Sequence, residues 1–359
     1  MRWLALCLAC LWPALAAAQA QSRFDAEEAA LLQSGLVTTA EAFIRPAYAE
    51  QAEAAAALVG TLEAYCDAGG ELPAVEARFA DLFLAWQRSS IVQMGPVMQA
   101  EGPMRVQLWP DPKGFSGRAV RAALGAEDPA LLAEGGLEGR SIALTNLTAL
   151  EALLYQPPAQ GTYACALATA IARFQADLAA GLVADWTGGS AFRRAYDSAA
   201  AGNDRYPTVD DLIRDMLAGA VVYVDRLRKF KLLRGLGTEP GEARPGRTEA
   251  LDSGLGLASL EASFRTLAAF YDTPYGLFDI APDLGGSMDY YTLAQAAGSV
   301  ADSLAFETAS LAEIAAEDGQ RAAELRGYAD MVLFHERFLK TGFTDAIGLT
   351  AGFTAADGD

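Results

Sequence analysis

Residues 38–66, TTAEAFIRPAYAEQAEAAAALVGTLEAYC, predict the fold most directly. A threonine cap signal comes first, and a long helical pattern rich in alanine follows it, with few β-branched residues. The rest of the chain repeats this character, since alanine and leucine dominate and alternating strand patterns are scarce. The sequence therefore predicts an all-α protein. Further helices are predicted over residues 74–95, 141–155, 162–186, 208–232, 257–271, 290–316 and 318–340.

Two stretches interrupt the helical pattern. Residues 108–114, LWPDPKG, combine two prolines with a glycine and predict a loop. Residues 234–256, RGLGTEPGEARPGRTEALDSGLG, are rich in glycine, proline and charge, and they have no periodicity. This second stretch is the predicted linker between two helical bundles, an N-terminal domain over residues 21–240 and a C-terminal domain over residues 241–359.

The first twenty residues, MRWLALCLACLWPALAAAQA, have the pattern of a secretory signal peptide. Arg2 supplies the positive start, residues 4–15 the apolar run, and residues 18–20 the small cleavage site. Lipoprotein anchoring at Cys10 is the weaker reading, because the apolar run before that cysteine is too short. We therefore expect a periplasmic protein beginning near Gln21, and no transmembrane segment in the mature chain.

The mature chain is strongly acidic. The whole sequence has a net charge of −19, and loss of the signal peptide removes one arginine and no acid, which leaves about −20. Such a chain repels nucleic acid and anionic lipid surfaces, so no nucleic-acid partner is expected.

Only Cys66 and Cys165 remain after signal removal. Two cysteines in an exported chain favour a disulfide, and the alternative is two separate buried thiols. Because 99 residues separate them, the crosslink would stabilise the fold by up to about 4.7 kcal/mol. Neither has a close Cys or His neighbour in sequence, which argues against a zinc site.

Residues 146–156, NLTALEALLYQ, place a carboxylate on an apolar helix face. At 3.6 residues per turn, Glu151 falls on the same stripe as the leucines at 147, 150 and 154. Thr148 and Tyr155 lie one turn before and after it. Glu151 is either a salt-bridged or boundary glutamate, or a ligand-binding position.

Four stretches in order resemble the imelysin family of exported bacterial proteins, first described as metallopeptidases. They are IRPAY (44–48), AWQRSSIVQMGPV with RVQLWPDPKG (85–97 and 105–114), NLTALEALLYQ, and the ending IGLTAGFTAADGD (347–359). The resemblance implies two bundle-like helical domains with a site near their interface. It also implies export and an association with iron-regulated or iron-uptake systems.

The chain departs from the family's Gly-x-His-x-x-Glu motif at two positions. Glu151 matches the motif glutamate, but Asn146 stands in place of the glycine and Thr148 in place of the histidine. A threonine hydroxyl is a weak metal ligand, and His335 is the only histidine of the chain. We therefore expect no tight zinc site. An iron ion remains a possible cofactor, with Glu151 as a weak candidate ligand.

Four further residues complete the candidate pocket. Trp86 and Trp109 either pack in the core or line a ligand cleft. Arg105 and Asp111 flank the 108–114 loop, where they serve either function or a structural salt bridge. The hypothesis places them around Glu151, Thr148 and Tyr155.

The sequence thus favours binding over cleavage. It shows no serine or cysteine nucleophile motif and no phosphate or dinucleotide loop. We expect an exported periplasmic component that binds a ligand or metal and takes part in iron handling, with an iron-handling protein as one possible partner. The alternative is a metallopeptidase that uses carboxylates in place of the missing histidine. A third, weaker option is a scaffold or inhibitor-like partner protein.

Overall fold

The computed structural model describes residues 21–67, 69–99, 102–156, 158–284 and 290–349. Within these ranges the chain is helical and contains no strand, which confirms the all-α prediction. The proposed signal peptide (1–20) and the family-like ending after residue 349 lie outside the described residues. The helices are α1 Ala26–Thr39, α2 Arg45–Cys66, α3 Leu72–Ser89, α4 Phe115–Ala126, α5 Ile142–Thr145, α6 Leu147–Leu154, α7 Tyr163–Asp185, α8 Ala191–Asp197, α9 Val209–Arg226, α10 Leu233–Leu236, α11 Gly256–Tyr271, α12 Leu277–Ile280, α13 Tyr290–Ala305, α14 Leu311–Glu317, α15 Gln320–Arg337 and α16 Phe343–Ala346.

Helix α2 is central to the N-terminal part and packs against both α3 and α7. The predicted Cys66–Cys165 disulfide is confirmed, and it joins the end of α2 to the first turn of α7 with a Cα–Cα distance of 5.7 Å. At the other end of α2, Tyr48 is fully buried and stacks on Trp186, with ring centroids 6.3 Å apart.

Helix α7 is long and apolar enough to cross a membrane by length and composition. Half of its most apolar window is buried in the structure, and the helix packs on α2. Core helices of water-soluble proteins pass the same test, so this is weak evidence for a membrane span.

The C-terminal part is built on α11, which packs against α13. Helices on the two sides of residue 240 also contact each other, since α3 packs on α11, α9 on α15 and α1 on α12. The boundary between residues 240 and 241 stays a prediction.

Two helices predicted as continuous are broken. Residues 141–155 form α5 and α6, because Asn146 adopts an extended backbone between them and caps α6 by accepting from the amides of Thr148 (2.7 Å) and Ala149 (3.2 Å). Residues 290–316 form α13 and α14. The second of these helices begins with a capping box formed by Ser310 and Glu313.

The predicted linker over residues 234–256 is packed rather than solvated. It includes α10, and Arg244 N donates to Gly235 O at 2.7 Å, which folds the segment back on itself. Glu249, in the middle of the stretch, is only 2% exposed. An ion pair of the buried Glu249 with Lys231 holds the segment against the helices, and its role as a linker between two domains stays a prediction.

Candidate functional site

Glu151 is buried on α6, as its place on the leucine stripe predicts, with 7% of its surface exposed. Its partner is a serine rather than an arginine: Oε1 accepts from Ser253 N at 3.0 Å and from Ser253 Oγ at 2.6 Å. Burial raises the pKa of Glu151. The hydrogen bonds from Ser253 oppose this rise, and the negative charges of Asp252 and Glu249 add to it. The carboxylate therefore joins α6 to the 248–255 segment.

The two neighbours of Glu151 on α6 have structural contacts of their own. Thr148 Oγ1 donates to Leu108 O at 3.3 Å and so anchors α6 to the 108–114 loop. Tyr155 is half-buried and meets the ring of Phe79 edge-on, with centroids 6.0 Å apart. Burial and the charges of Glu76 and Glu151 raise the pKa of Tyr155 to about 12, so its hydroxyl stays protonated at neutral pH.

Asp111 and Arg105 are engaged away from the Glu151 carboxylate. Asp111 accepts from the amides of Phe115 and Ser116, each at 2.8 Å, and caps the start of α4. The guanidinium of Arg105 lies 5.4 Å from the centre of the Phe174 ring. There it lines an open cleft of about 670 Å³ between α7 and the loop over residues 132–139. Thr148, Tyr155, Asp111 and Arg105 therefore each contact a different part of the structure.

Trp86 lies beside a buried polar cluster that the sequence reasoning missed. Its indole Nε1 donates to Gln107 Oε1 at 3.0 Å, and Gln107 Nε2 in turn donates to Glu249 Oε1 at 2.8 Å. Gln87, one residue after Trp86, also donates to Gln107 Oε1, at 3.3 Å. Helix α3 and the 248–255 segment therefore meet through side-chain amides.

Lys231 is the centre of this cluster. Its Nζ donates to Glu249 Oε2 at 2.7 Å, and to Gln87 Oε1 and Ser259 Oγ at 2.6 Å each. Three acceptors satisfy the three protons of an ammonium group. Burial opposes both charges, but Lys231 holds the pKa of Glu249 below its ordinary value of 4.5, and we describe the two groups as an ion pair. We use the name polar junction for the cluster formed by Gln87, Gln107, Lys231, Glu249 and Ser259.

The register that turns Lys231 inward comes from a π-helical segment. Residues Leu227–Leu232 continue α9 in this wider form, which is found in proteins mostly as short insertions, frequently at functional sites. Lys229, two residues earlier, is exposed and pairs with Asp225 at 2.7 Å. The sequence signal was a basic run, RLRKFKL, whose two lysines have opposite environments.

Trp109 is surrounded by arginines. Arg226 Nη2 donates to Trp109 O at 2.5 Å, and the guanidinium of Arg234 lies 5.7 Å from the centre of the Trp109 ring. Trp109 Nε1 and Arg234 Nε are buried atoms without a hydrogen-bond partner among the described residues. Burial lowers the pKa of Arg226, opposed by the charges of Glu249 and Asp225.

A small cavity lies beside the polar junction. Its volume is about 30 Å³, room for about one water molecule, and Arg226, Lys231, Glu249, Trp86 and Tyr223 are among its lining residues. Its lining is mixed and includes two cations and one carboxylate, Arg226, Lys231 and Glu249. The site at this position can therefore hold water or a small polar group.

The donor set does not fit a zinc or iron ion. Within the described residues, no group of three or more His, Cys, Asp and Glu side chains is placed to hold a metal. One oxygen of Glu151 is engaged by Ser253, and Glu249 is neutralised by Lys231. His335 is buried elsewhere, stacked 5.6 Å from the Tyr271 ring, and burial lowers its pKa to about 4.

This helical architecture, with a glutamate-bearing α6 docked on a proline-rich loop, defines an imelysin-like protein. The sequence profile described as Imelysin matches residues 44–333, so the chain belongs to the imelysin family. Among curated proteins no match was found.

Two solved structures share the fold. An imelysin-like protein from Psychrobacter arcticum is 20% identical, with a TM-score of 0.73 over 92% of this chain and 98% of that one. A putative iron-regulated protein A precursor from Parabacteroides distasonis is 11% identical, with a TM-score of 0.69 over 88% of this chain and 98% of that one. At these identities the likeness concerns the fold alone.

Proposed function

We propose that this imelysin-family chain is an exported, periplasmic binding protein for a small ligand in iron handling, and that it does not cleave peptides. The binding region is the surface where α6, the 108–114 loop and the 226–259 segment meet. Glu151, Thr148, Trp109 and the polar junction belong to it.

The observation that supports this proposal is the state of the motif residues. Thr148 replaces the motif histidine, and its hydroxyl donates to Leu108 O instead of standing free as a ligand. Ser253 donates twice to the Glu151 carboxylate. A zinc peptidase needs about three good protein ligands and an open position for water, and these two side chains offer at most one.

The iron association is supported by the name of a protein of the same fold, and the location by the sequence. One protein of this fold is named as a putative iron-regulated protein A precursor. The first twenty residues have the charge, the apolar run and the small residues of a cleavable export signal. Both are consistent with a periplasmic role in iron handling.

The peptidase question is tested on the purified mature protein. Casein hydrolysis is measured with and without added zinc, with a chelator control, for wild type and for Thr148→His. We expect no chelator-sensitive hydrolysis by wild type. Activity that zinc restores to the wild-type protein would contradict the proposal.

The iron role is tested in the source cells. A deletion strain is grown in iron-replete and iron-depleted medium, with fractionation of the tagged protein in the parent strain. We expect the protein in the periplasmic fraction and a growth defect only under iron depletion. A cytoplasmic protein, or equal growth of both strains at low iron, would refute this part.

A further inference from the structure

The atoms around Trp109 present hydrogen-bond donors without acceptors. Trp109 Nε1 and Arg234 Nε are both buried and have no partner among the described residues. In folded proteins nearly all buried polar atoms are hydrogen-bonded, and a specific exception calls for a water, an ion or a ligand. Here both exceptions are donors, and they occur on two side chains in mutual contact.

The local charge is positive although the chain as a whole is strongly acidic. Arg234 covers the Trp109 ring and Arg226 binds the Trp109 carbonyl. The acids nearest to Arg226 have other partners, since Glu249 pairs with Lys231 and Asp225 with Lys229. Two guanidinium groups thus contact Trp109, and neither forms an ion pair with a carboxylate among the described residues.

Three separate segments bring these groups together. Trp109 belongs to the 108–114 loop, Arg226 ends α9, and Arg234 lies on α10. Trp109, Arg226 and Arg234 are all partly exposed, so part of each side chain faces solvent, whereas the unpartnered Trp109 Nε1 and Arg234 Nε atoms lie beneath that surface.

We infer that the surface formed by Trp109, Arg226 and Arg234 binds a small polycarboxylate anion rather than a bare metal cation. Guanidinium groups match carboxylates in shape and charge, and an indole N–H supplies one directed donor. The inference deepens the proposed function by naming its ligand class. Iron would then enter as an anionic chelate whose carboxylates supply the metal ligands that Glu151 and Thr148 do not.

The test is calorimetric titration of the mature wild-type protein with metal-free citrate, at low and high NaCl. Inorganic phosphate is the second arm, and iron or zinc salts without a chelator are the third. We expect saturable citrate binding that weakens with salt, and no binding of the bare ions. The salt dependence follows because the contacts are between charges.

Two variants and a matched control locate the site. Trp109→Phe removes the indole N–H and keeps an aromatic ring, and Arg234→Gln removes one charge. Each should weaken citrate binding by about tenfold or more, the usual effect of losing a hydrogen bond to a charged group. Arg265→Gln is the control, since Arg265 is a half-exposed arginine that pairs with Glu261 and Asp302. Circular dichroism and thermal melting check that each variant folds. If Trp109→Phe does not fold, Arg234→Gln alone is used to locate the site.

The outcomes separate this inference from the proposed function. Citrate binding that both site variants retain, or binding of phosphate without citrate, would overturn the polycarboxylate site. Absence of citrate binding together with stoichiometric binding of a bare ion would also overturn it, yet it would leave a metal-binding role in iron handling intact. Citrate binding lost in the site variants and kept in Arg265→Gln would support it.

Discussion

The polar junction allows a sharp test of how much a buried ion pair contributes to stability. Lys231 and Lys229 lie in the same π-helical segment, and each ammonium is 2.7 Å from a carboxylate oxygen. They differ in burial: the side chain of Lys231 is 9% exposed and that of Lys229 is 55% exposed. The same substitution to methionine at both positions therefore isolates the effect of burial.

Lys231→Met should be strongly destabilising. The change leaves the Glu249 carboxylate buried, with Ser259 and Gln107 as its remaining hydrogen-bond donors and without its ion-pair partner. Removing one partner of a buried pair costs about 3–5 kcal/mol, because the other charge stays buried. Lys229→Met should cost at most about 0.5 kcal/mol, as is typical of an exposed pair on a helix.

The measurement is urea unfolding at pH 7, followed by circular dichroism, on both variants and on Lys231→Met/Glu249→Gln. The double variant should recover part of the loss, since no uncompensated charge remains. Equal costs for the two single variants, or a double variant less stable than Lys231→Met, would refute the reasoning.

The pH dependence of the wild type gives a second check on the same pair. Lys231 holds the pKa of Glu249 below its ordinary value of 4.5. The contribution of Glu249 to stability is therefore complete above pH 4.5 and is lost as the pH falls through the lowered pKa. The Glu249→Gln variant should lack this component of the acid transition.

Three further outcomes are expected. Glu151→Gln should change the free energy of unfolding by no more than about 1 kcal/mol, because the amide oxygen can still accept from Ser253. Since burial raises the pKa of Glu151, the variant should gain stability relative to wild type as the pH rises through that pKa. A loss of several kcal/mol in urea unfolding would contradict the expected small change. Replacing both cysteines by alanine should lower stability by up to about 4.7 kcal/mol; mass spectrometry of alkylated, unreduced protein checks the bond, and two alkylated thiols would disprove it. Calorimetric titration of metal-free protein should show no nanomolar zinc site, and a stoichiometric site lost in Glu151→Ala would revive the peptidase hypothesis.

Much of the fold could be predicted from local patterns. Helical periodicity located the long helices, and two cysteines in an exported sequence pointed to their pairing. The break between α13 and α14 was also accessible, since Ser310 and Glu313 have the spacing of a capping box. The buried position of Glu151 followed from its helical spacing relative to the leucines at 147, 150 and 154.

The contacts of the candidate site were not accessible in this way. Glu249 lies among glycines and prolines, in a stretch whose composition favours solvent, and its burial is explained by its pairing with Lys231 and its hydrogen bonds from Gln107 and Ser259. Asp111 flanks a loop as a functional residue would, yet it caps α4. In both cases the partner and the surrounding packing determine the role, and neither is encoded in the local pattern.

The polar junction also has a consequence for the order in which the chain is made. Gln87 and Lys231 are separated by 144 residues, and Gln107 and Glu249 by 142. Synthesis proceeds from the N-terminus, so α3 and Gln107 are complete long before the carboxylate that neutralises Lys231. A chain truncated between residues 231 and 249 would leave the ammonium with one of its three acceptors, the amide oxygen of Gln87, and no counter-charge. The junction thus makes the stability of the early helices depend on completion of the later ones.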